Sequence, residues 1–357
     1  MKILFLCGRE VSYPLNQTLL SCFRQFADVK VIAEHGRRRP IWLQTISVFL
    51  RALPSMARDP YDLIFIGFYG HLLVLMISLL KRAPILFYPF ISTYETLIQE
   101  RKTFSPRSPI AAIARWLDQT ACRRANFFVF DTQANQEYFQ RAFGVPKEKS
   151  RVILIGADEK IFHPRPEVKQ EPVVLFHGSF LVLQGVDVIM EAARMLKDRT
   201  PVRFRLVGDG PGRNACQSMI DTYHLTNVDL VPSMPSSRLP EEIARAAICL
   251  GGHFGTTEKS ARVIAGKTFQ DLAMGKAVIV GDNPGNHELL THGVDAWFVS
   301  MGDPASLAEG IQVLYEDSEL RFRLGRNAAT TFLQRASTAI LTRQIHDFSE
   351  EIICQRG

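Results

Sequence analysis

The stretch Phe176 to Arg194, FHGSFLVLQGVDVIMEAAR, decides how the chain folds. Val173-Val174-Leu175-Phe176 is a short apolar run that stops at Gly178, and beyond Gly185 the residues Val186, Ile189, Met190 and Ala193 recur at helical spacing. The unit is a buried strand, a glycine-bounded loop and a helix. Gly178 and Gly185 let the loop backbone come close to a ligand, and the first N–H groups of the helix lack partners within it, so their partial positive charge points at the same place. Such a corner suits phosphate. It is equally an ordinary strand-to-helix connection of an α/β domain, and these residues fit both readings.

Working outward, the same alternation repeats. After the first helix come strands near 202–207, 228–231, 248–251, 277–280 and 296–299, with helices between them, one of them about 266–274. The first half opens with a strand over Lys2 to Cys7, a turn at Gly8-Arg9-Glu10, a helix from Gln17 to Phe26 and a strand from Val29 to Ala33. Further strands follow at Asp62 to Gly67, Pro84 to Tyr88, Phe127 to Phe130 and Arg151 to Ile155. Strands alternating with helices in both halves predict an α/β protein of two Rossmann-like parallel-sheet domains facing each other across a cleft, with ligands at the carboxyl ends of the strands. The Pro- and charge-rich segment HPRPEVKQEP, 163–172, reads as the linker, giving domains over 1–165 and 166–335 and a closing helix over 336–357 that returns toward the first.

Composition narrows the class. A chain of 357 residues with 46% hydrophobic and 22% charged residues can bury two cores and is not disordered. The net charge of +6 suits an anionic partner, a nucleotide diphosphate or an acidic lipid surface, without pointing to nucleic acid. Six scattered cysteines without a C-x-x-C pair argue against a zinc site and fit a reducing compartment. The start MKILFLCGREV reads as a first strand, and the longest apolar run, Leu72 to Leu80, is too short to span a bilayer. The expected location is cytoplasmic. Arg37-Arg38-Arg39 precede a helix whose residues Ile41, Trp42, Thr45, Val48, Phe49, Ala52 and Leu53 share a face; this is either an interfacial anchor peripheral on the inner face of the membrane or a core helix with a basic lip.

Three later features carry a family likeness: Gly156-Ala157-Asp158 followed by Phe162-His163-Pro164, the loop Gly178 to Gly185, and Arg262 to Glu288. In the last, Ala273, the turn Gly275-Lys276, the strand Val278 to Val280, Gly285 and Glu288 follow one another as helix, turn, strand and glycine-rich loop. Together they resemble the GT-B nucleotide-sugar glycosyltransferases, close to retaining family 4. The resemblance implies transfer of a sugar from a nucleotide diphosphate sugar to a glycan or lipid-linked acceptor, with the donor on the second domain and the acceptor on the first. It also implies donor contacts at Gly8, Gly178, Ser179, Gln184, Gly185, Gly208, Arg262, Lys267 and Glu288. No D-x-D motif occurs, so a metal-free mechanism without a cofactor is expected, the diphosphate being met by basic side chains and a helix N-terminus.

The chain also departs from that family. Arg262 and Gln270 stand where it usually has two glutamates, and Ser179 and Gln184 where it has basic residues in the first phosphate loop. With two cations missing from one loop, the expectation is that Arg262 and Lys267 meet the charge from the other side. A first-domain histidine of the family falls near Phe90; His71 and Glu95 there, and Glu258 in the second half, are the catalytic candidates, with Ser92 and Arg101 close by in sequence. His253 and His287 have no spacing that singles them out. The rival functions are a nucleotide-sugar epimerase of the same fold and a non-catalytic nucleotide-sugar binding protein.

Overall fold

The computed structural model describes residues 1–11, 14–34, 40–100 and 103–355, excepting the side chains of residues 9, 10, 14 and 15. The chain forms two units, Met1–Ile155 with the segment from Thr338 onward, and Gly156–Ser337. The division precedes the 163–172 segment read as the linker, which belongs wholly to the second unit.

In the first unit β1 (Lys2–Glu10), α1 (Pro14–Phe23), β2 (Asp28–Glu34), α2 (Ile41–Arg58), β3 (Leu63–Ile66), α3 (His71–Ser78), β4 (Ile85–Phe87), α4 (Pro109–Arg124), β5 (Phe127–Phe130), α5 (Gln133–Phe143) and β6 (Ser150–Val152) follow in order. The sheet is parallel, in the order β2-β1-β3-β4-β5-β6. Strands such as LIFI and FFVF are apolar at every position because helices cover both faces of the sheet. β1 runs on through Gly8 to Glu10 with a break in register between Cys7 and Glu10, so the expected turn is the irregular end of the strand. Ser108 caps α4 by accepting from Ala111 N, with Pro109 opening the helix, and Thr132 caps α5 by accepting from Asn135 N.

The second unit holds β7 (Glu171–His177), α6 (Val186–Leu196), β8 (Arg203–Val207), α7 (Arg213–Tyr223), β9 (Val228–Val231), α8 (Leu239–Arg245), β10 (Ala246–Leu250), α9 (Gly266–Ala273), β11 (Ala277–Gly281), α10 (Pro284–His287), β12 (Trp297–Val299), α11 (Pro304–Glu316) and α12 (Ser318–Arg335). Its sheet is also parallel, in the order β12-β11-β10-β7-β8-β9. The order reverses beside β7, which places the carboxyl ends of β7 and β10 at a topological switch point. A final helix, α13 (Thr338–Cys354), packs on α1 of the first unit, where His346 meets the edge of Phe26 at 4.9 Å and Arg151 pairs with Glu351.

The segment read as a possible anchor is divided. On α2, Thr45, Val48 and Ala52 are buried, Val48 and Ala52 within the core of the first unit, and Ile41, Trp42 and Leu43 of the first turn are exposed. Most of the apolar face therefore serves the core. Arg37, Arg38 and Arg39 lie outside the described residues.

Candidate functional site

The loop after β7 is held by its neighbours. Gly178 N donates to Val207 O (3.0 Å), Phe180 N to Asp209 O (2.9 Å) and Gly212 N to Phe180 O (3.0 Å), so the segment Gly208-Asp209-Gly210-Pro211-Gly212 forms a backbone clamp around buried Phe180. A Cβ on Gly208 would collide with the Gly178 carbonyl oxygen, at a φ of 150° that side chains rarely adopt. Gly208 is thus scaffold for the loop. Gly185, in the left-handed conformation, lets the loop close on the segment after β10, where Phe254 N donates to Gln184 O and Gly255 N to Leu183 O, both at 3.3 Å. Gly178 and Ser179 stay exposed between these ties, and Gln184 is half-buried.

Into this corner comes Lys267. It lies in the first turn of α9, whose cap residue Ala265 offers no side-chain acceptor; Thr268 N donates to Ala265 O at 2.9 Å, and no cap side chain takes up the N–H groups before it. Its Nζ donates to Gln184 Oε1, lies 4.6 Å from the centre of the Phe176 ring, and would be 3.8 Å from a Cβ on Gly178. The side chain is buried, and burial lowers its pKa to about 7 against the opposing pull of Asp271. Asp271, farther along α9, accepts from His177 Nε2 at 2.8 Å. That bond ties the helix to the end of β7 and takes up the nearest buried carboxylate.

Arg262 and Lys259 are also buried. Gly285 packs its bare Cα against the Arg262 backbone, and Gly285 N donates to Ala261 O at 3.3 Å. Between Gly251 and Glu288 the buried charged side chains are Lys259, Arg262, Lys267, Lys276 and Asp271. Lys276 Nζ donates to Ala244 O at 3.0 Å, which engages it away from the Gly178 loop. This segment therefore gathers several buried basic side chains, a setting suited to a compact polyanion. Glu258 is exposed, with a 4.0 Å ion-pair contact to Arg262, while the half-buried Glu288 offers its carbonyl to Arg335 at 2.7 Å.

The first-unit candidates gather around a residue the sequence reading did not single out. Asp118, buried on α4, accepts from Ser92 Oγ (2.6 Å), Thr93 N (2.9 Å) and Tyr94 N (2.9 Å), fixing the loop after β4. Ser92 Oγ in turn accepts from Glu95 N (3.0 Å), and Glu95 is buried where it opens a π-helical turn. His71 Nε2 stands 3.5 Å from Asp118 Oδ1. Burial lowers the His71 pKa more than Asp118 raises it, which keeps the imidazole neutral near pH 7. The signal for Asp118 was a lone carboxylate on the apolar face of a helix. Gly8 belongs to this unit, its bare Cα against Tyr69 O and Thr45 Oγ1; Arg101 lies outside the described residues. Among the described residues no cluster of three His, Cys, Asp or Glu is arranged to hold a metal ion, and no helix is long and apolar enough to cross a membrane.

Comparison with known proteins decides the family. Residues 157–331 match the description Glycosyl transferases group 1, and residues 19–160 match Glycosyltransferase Family 4. The chain belongs to the GT-B glycosyltransferases. Among curated relatives, this glycosyltransferase is 27% identical over 252 residues to a Campylobacter jejuni N,N'-diacetylbacillosaminyl-diphospho-undecaprenol alpha-1,3-N-acetylgalactosaminyltransferase, covering 62% of this chain and 59% of that one. It is 23% identical over 277 residues to the alpha-D-kanosaminyltransferase of Streptomyces kanamyceticus, covering 74% and 68%. The matches thus span a little over half to two thirds of these relatives. The fold is shared with Anabaena HepE in complex with UDP-glucose (TM-score 0.75, 20% identity, 98% and 100% of the two chains). It is shared too with a sucrose-phosphate synthase from Thermosynechococcus elongatus (TM-score 0.79, 15% identity, 99% and 100%).

Proposed function

We propose that this glycosyltransferase takes its sugar from a nucleoside diphosphate sugar held by the second unit, and passes it to a glycan or lipid-linked acceptor that contacts the first. The observation that carries the reading is Lys267, buried at an uncapped helix N-terminus and reaching across to the loop between Gly178 and Gln184. In that loop Ser179 and Gln184 bring no charge, so the diphosphate is met from the α9 side by Lys267 with Arg262 and Lys259. These fixed charges and the helix N–H groups stabilise the negative charge that grows on the leaving diphosphate as the glycosidic bond breaks. The names of the relatives support the substrate classes: one acts on a diphospho-undecaprenol, and HepE binds UDP-glucose. The transfer retains configuration, with attack from the face that the diphosphate leaves, needs no metal, and takes place at the inner membrane face when the acceptor is lipid-linked.

The test is incubation of the purified protein with a panel of labelled nucleotide sugars, with and without EDTA. The reading expects slow donor hydrolysis, or transfer once an acceptor is supplied, and expects both to survive chelation. Epimerised donor, or tight binding with no turnover on any donor and acceptor, would overturn it. Loss of turnover with EDTA and rescue by magnesium or manganese would remove the metal-free mechanism alone.

A further inference from the structure

One buried titratable side chain in the donor region has no place in the account above. His253 follows β10, is 4% exposed, and its Nδ1 has no hydrogen-bond partner. A buried polar atom left unpaired is costly, and a site that is kept in spite of that cost calls for a ligand. The backbone here is built rather than slack. The His253 carbonyl lies against the bare Cα of Gly281, and Asn286 Nδ2 donates to Gly281 O at 2.8 Å and reaches Gly252 O at 3.5 Å. Three more buried polar atoms at the same strand ends also lack partners: Thr268 Oγ1, Asn283 Nδ2 and Asn286 Oδ1.

The charges around the ring are of one sign. Burial, then Lys267, then Lys259 hold the proton off His253, so its pKa lies well below the usual imidazole value and the ring is neutral in the empty site. Arg262 adds a further buried cation in the same segment. The carboxylates nearby in the chain are otherwise disposed: Asp271 is bonded to His177, Asp282 pairs with His287 at 2.6 Å on the surface, and Glu258 is exposed. A diphosphate entering among these cations reverses the local field.

We propose that His253 is a donor-site residue that takes up a proton from solvent when a nucleoside diphosphate binds and donates it as a hydrogen bond to a phosphate oxygen. No bond of the nucleotide breaks in this step. The inference rests on the donor reading given above, and Lys267, whose ammonium is also partly discharged in the empty site, contributes a second proton that must be separated from it.

Calorimetric titration with UDP at pH 8, in two buffers of different ionisation enthalpy, counts the protons taken up. At that pH the nucleotide itself is ionised, since the second phosphate pKa is about 6. Lys267→Arg keeps a permanent charge and removes the lysine's contribution; it should still take up protons on binding UDP. Lys267→Arg combined with His253→Asn should lose that uptake, and His253→Asn or His253→Gln alone should show less than the wild type. Thermal melting confirms that each variant is folded, and if Lys267→Arg is not, the comparison of wild type with the two His253 variants decides the matter. Equal uptake with and without His253 would overturn the inference while leaving the donor site in place. No UDP binding by the wild type would remove the donor reading and this inference together.

Discussion

Replacing Lys267 by methionine should move stability and binding in opposite directions. Below about pH 7 the amine is protonated in the folded and the unfolded chain alike, and the folded state bears the full cost of a buried charge. Between about 7 and 10.5 the unfolded chain holds more protons, so the empty protein gains stability as pH rises through that window. At about 1.4 kcal/mol per pH unit the displacement corresponds to on the order of 5 kcal/mol. Lys267→Met keeps a stem over Phe176 and removes the charge, so the empty variant should be the more stable at pH 6 and should lose most of the rise toward pH 9. The same change deletes a charge-assisted contact worth about 1.5–3 kcal/mol, which weakens UDP binding roughly ten- to a hundredfold. In the wild type UDP affinity should fall as pH rises above 7, while the stability of the empty protein climbs. Urea melts at pH 6, 7.5 and 9 with calorimetric UDP titrations test both halves, with Lys276→Met as the control because its amine is bound to Ala244 O. If Lys267→Met leaves UDP affinity unchanged, or weakens it no more than Lys276→Met does, the phosphate assignment is wrong. If it lowers stability equally at all three pH values, the buried-charge argument is wrong.

Gly208→Ala should push the Gly178 carbonyl aside and so weaken UDP binding while leaving a folded protein; an unchanged dissociation constant would show that the glycine clamp does not set the loop. Asp118→Ala removes the acceptor for Ser92, Thr93 and Tyr94, each bond to a charged group being worth about 1.5–3 kcal/mol, and should bring the urea midpoint down sharply. A midpoint within error of the wild type would mean that the loop after β4 is held by other contacts. The protein should bind vesicles of anionic lipid at low salt and release at high salt, at about 1 kcal/mol for each basic residue near the surface, and replacing Arg37, Arg38 and Arg39 by glutamine should abolish binding. With most of the α2 apolar face already buried, a wild-type protein that ignores such vesicles would leave α2 as a core helix alone.

The fold was legible because apolar periodicity reports burial directly. β9 and β5 fall on the residues expected for them, and α6 begins at Val186 as its spacing requires. The reading failed where polar residues continue a strand. Gly8-Arg9-Glu10 has a turn's composition, yet it extends β1 because its backbone still pairs with β2 at Glu10 across the break in register. On α2 the periodic apolar face was seen correctly, but periodicity alone does not say whether such a face meets protein or lipid. Contacts of Val48 and Ala52 with the first unit's core show that this part of the face meets protein, while Ile41, Trp42 and Leu43 stay exposed.

The candidate site was less legible, and for a definite reason. The glycines of the loop from Gly178 to Gly185 and the lysine in the first turn of α9 lie in short local patterns, so a single pass along the chain picks them out. What orients Lys267 is held by a pair remote in sequence, His177 to Asp271, 94 positions apart, and within the first unit His71 near Asp118 is another such pair. Each pair sets a histidine at a strand end or just beyond it against an aspartate on a neighbouring helix, and neither partner has a local feature that announces the other. The first pair also explains how Lys267 keeps its place. The helix that carries it is short and uncapped, and a buried ammonium repels the other cations of the segment, so propensity alone would let its first turn fray. A bond of 2.8 Å from β7 to Asp271 anchors that turn from its far side, and the clamp on Phe180 anchors the loop it faces. The side chains are thus held in position before any anion arrives, and on the proposed donor reading an entering diphosphate has only to draw protons onto groups already in place, so little reorganisation remains when the bond breaks.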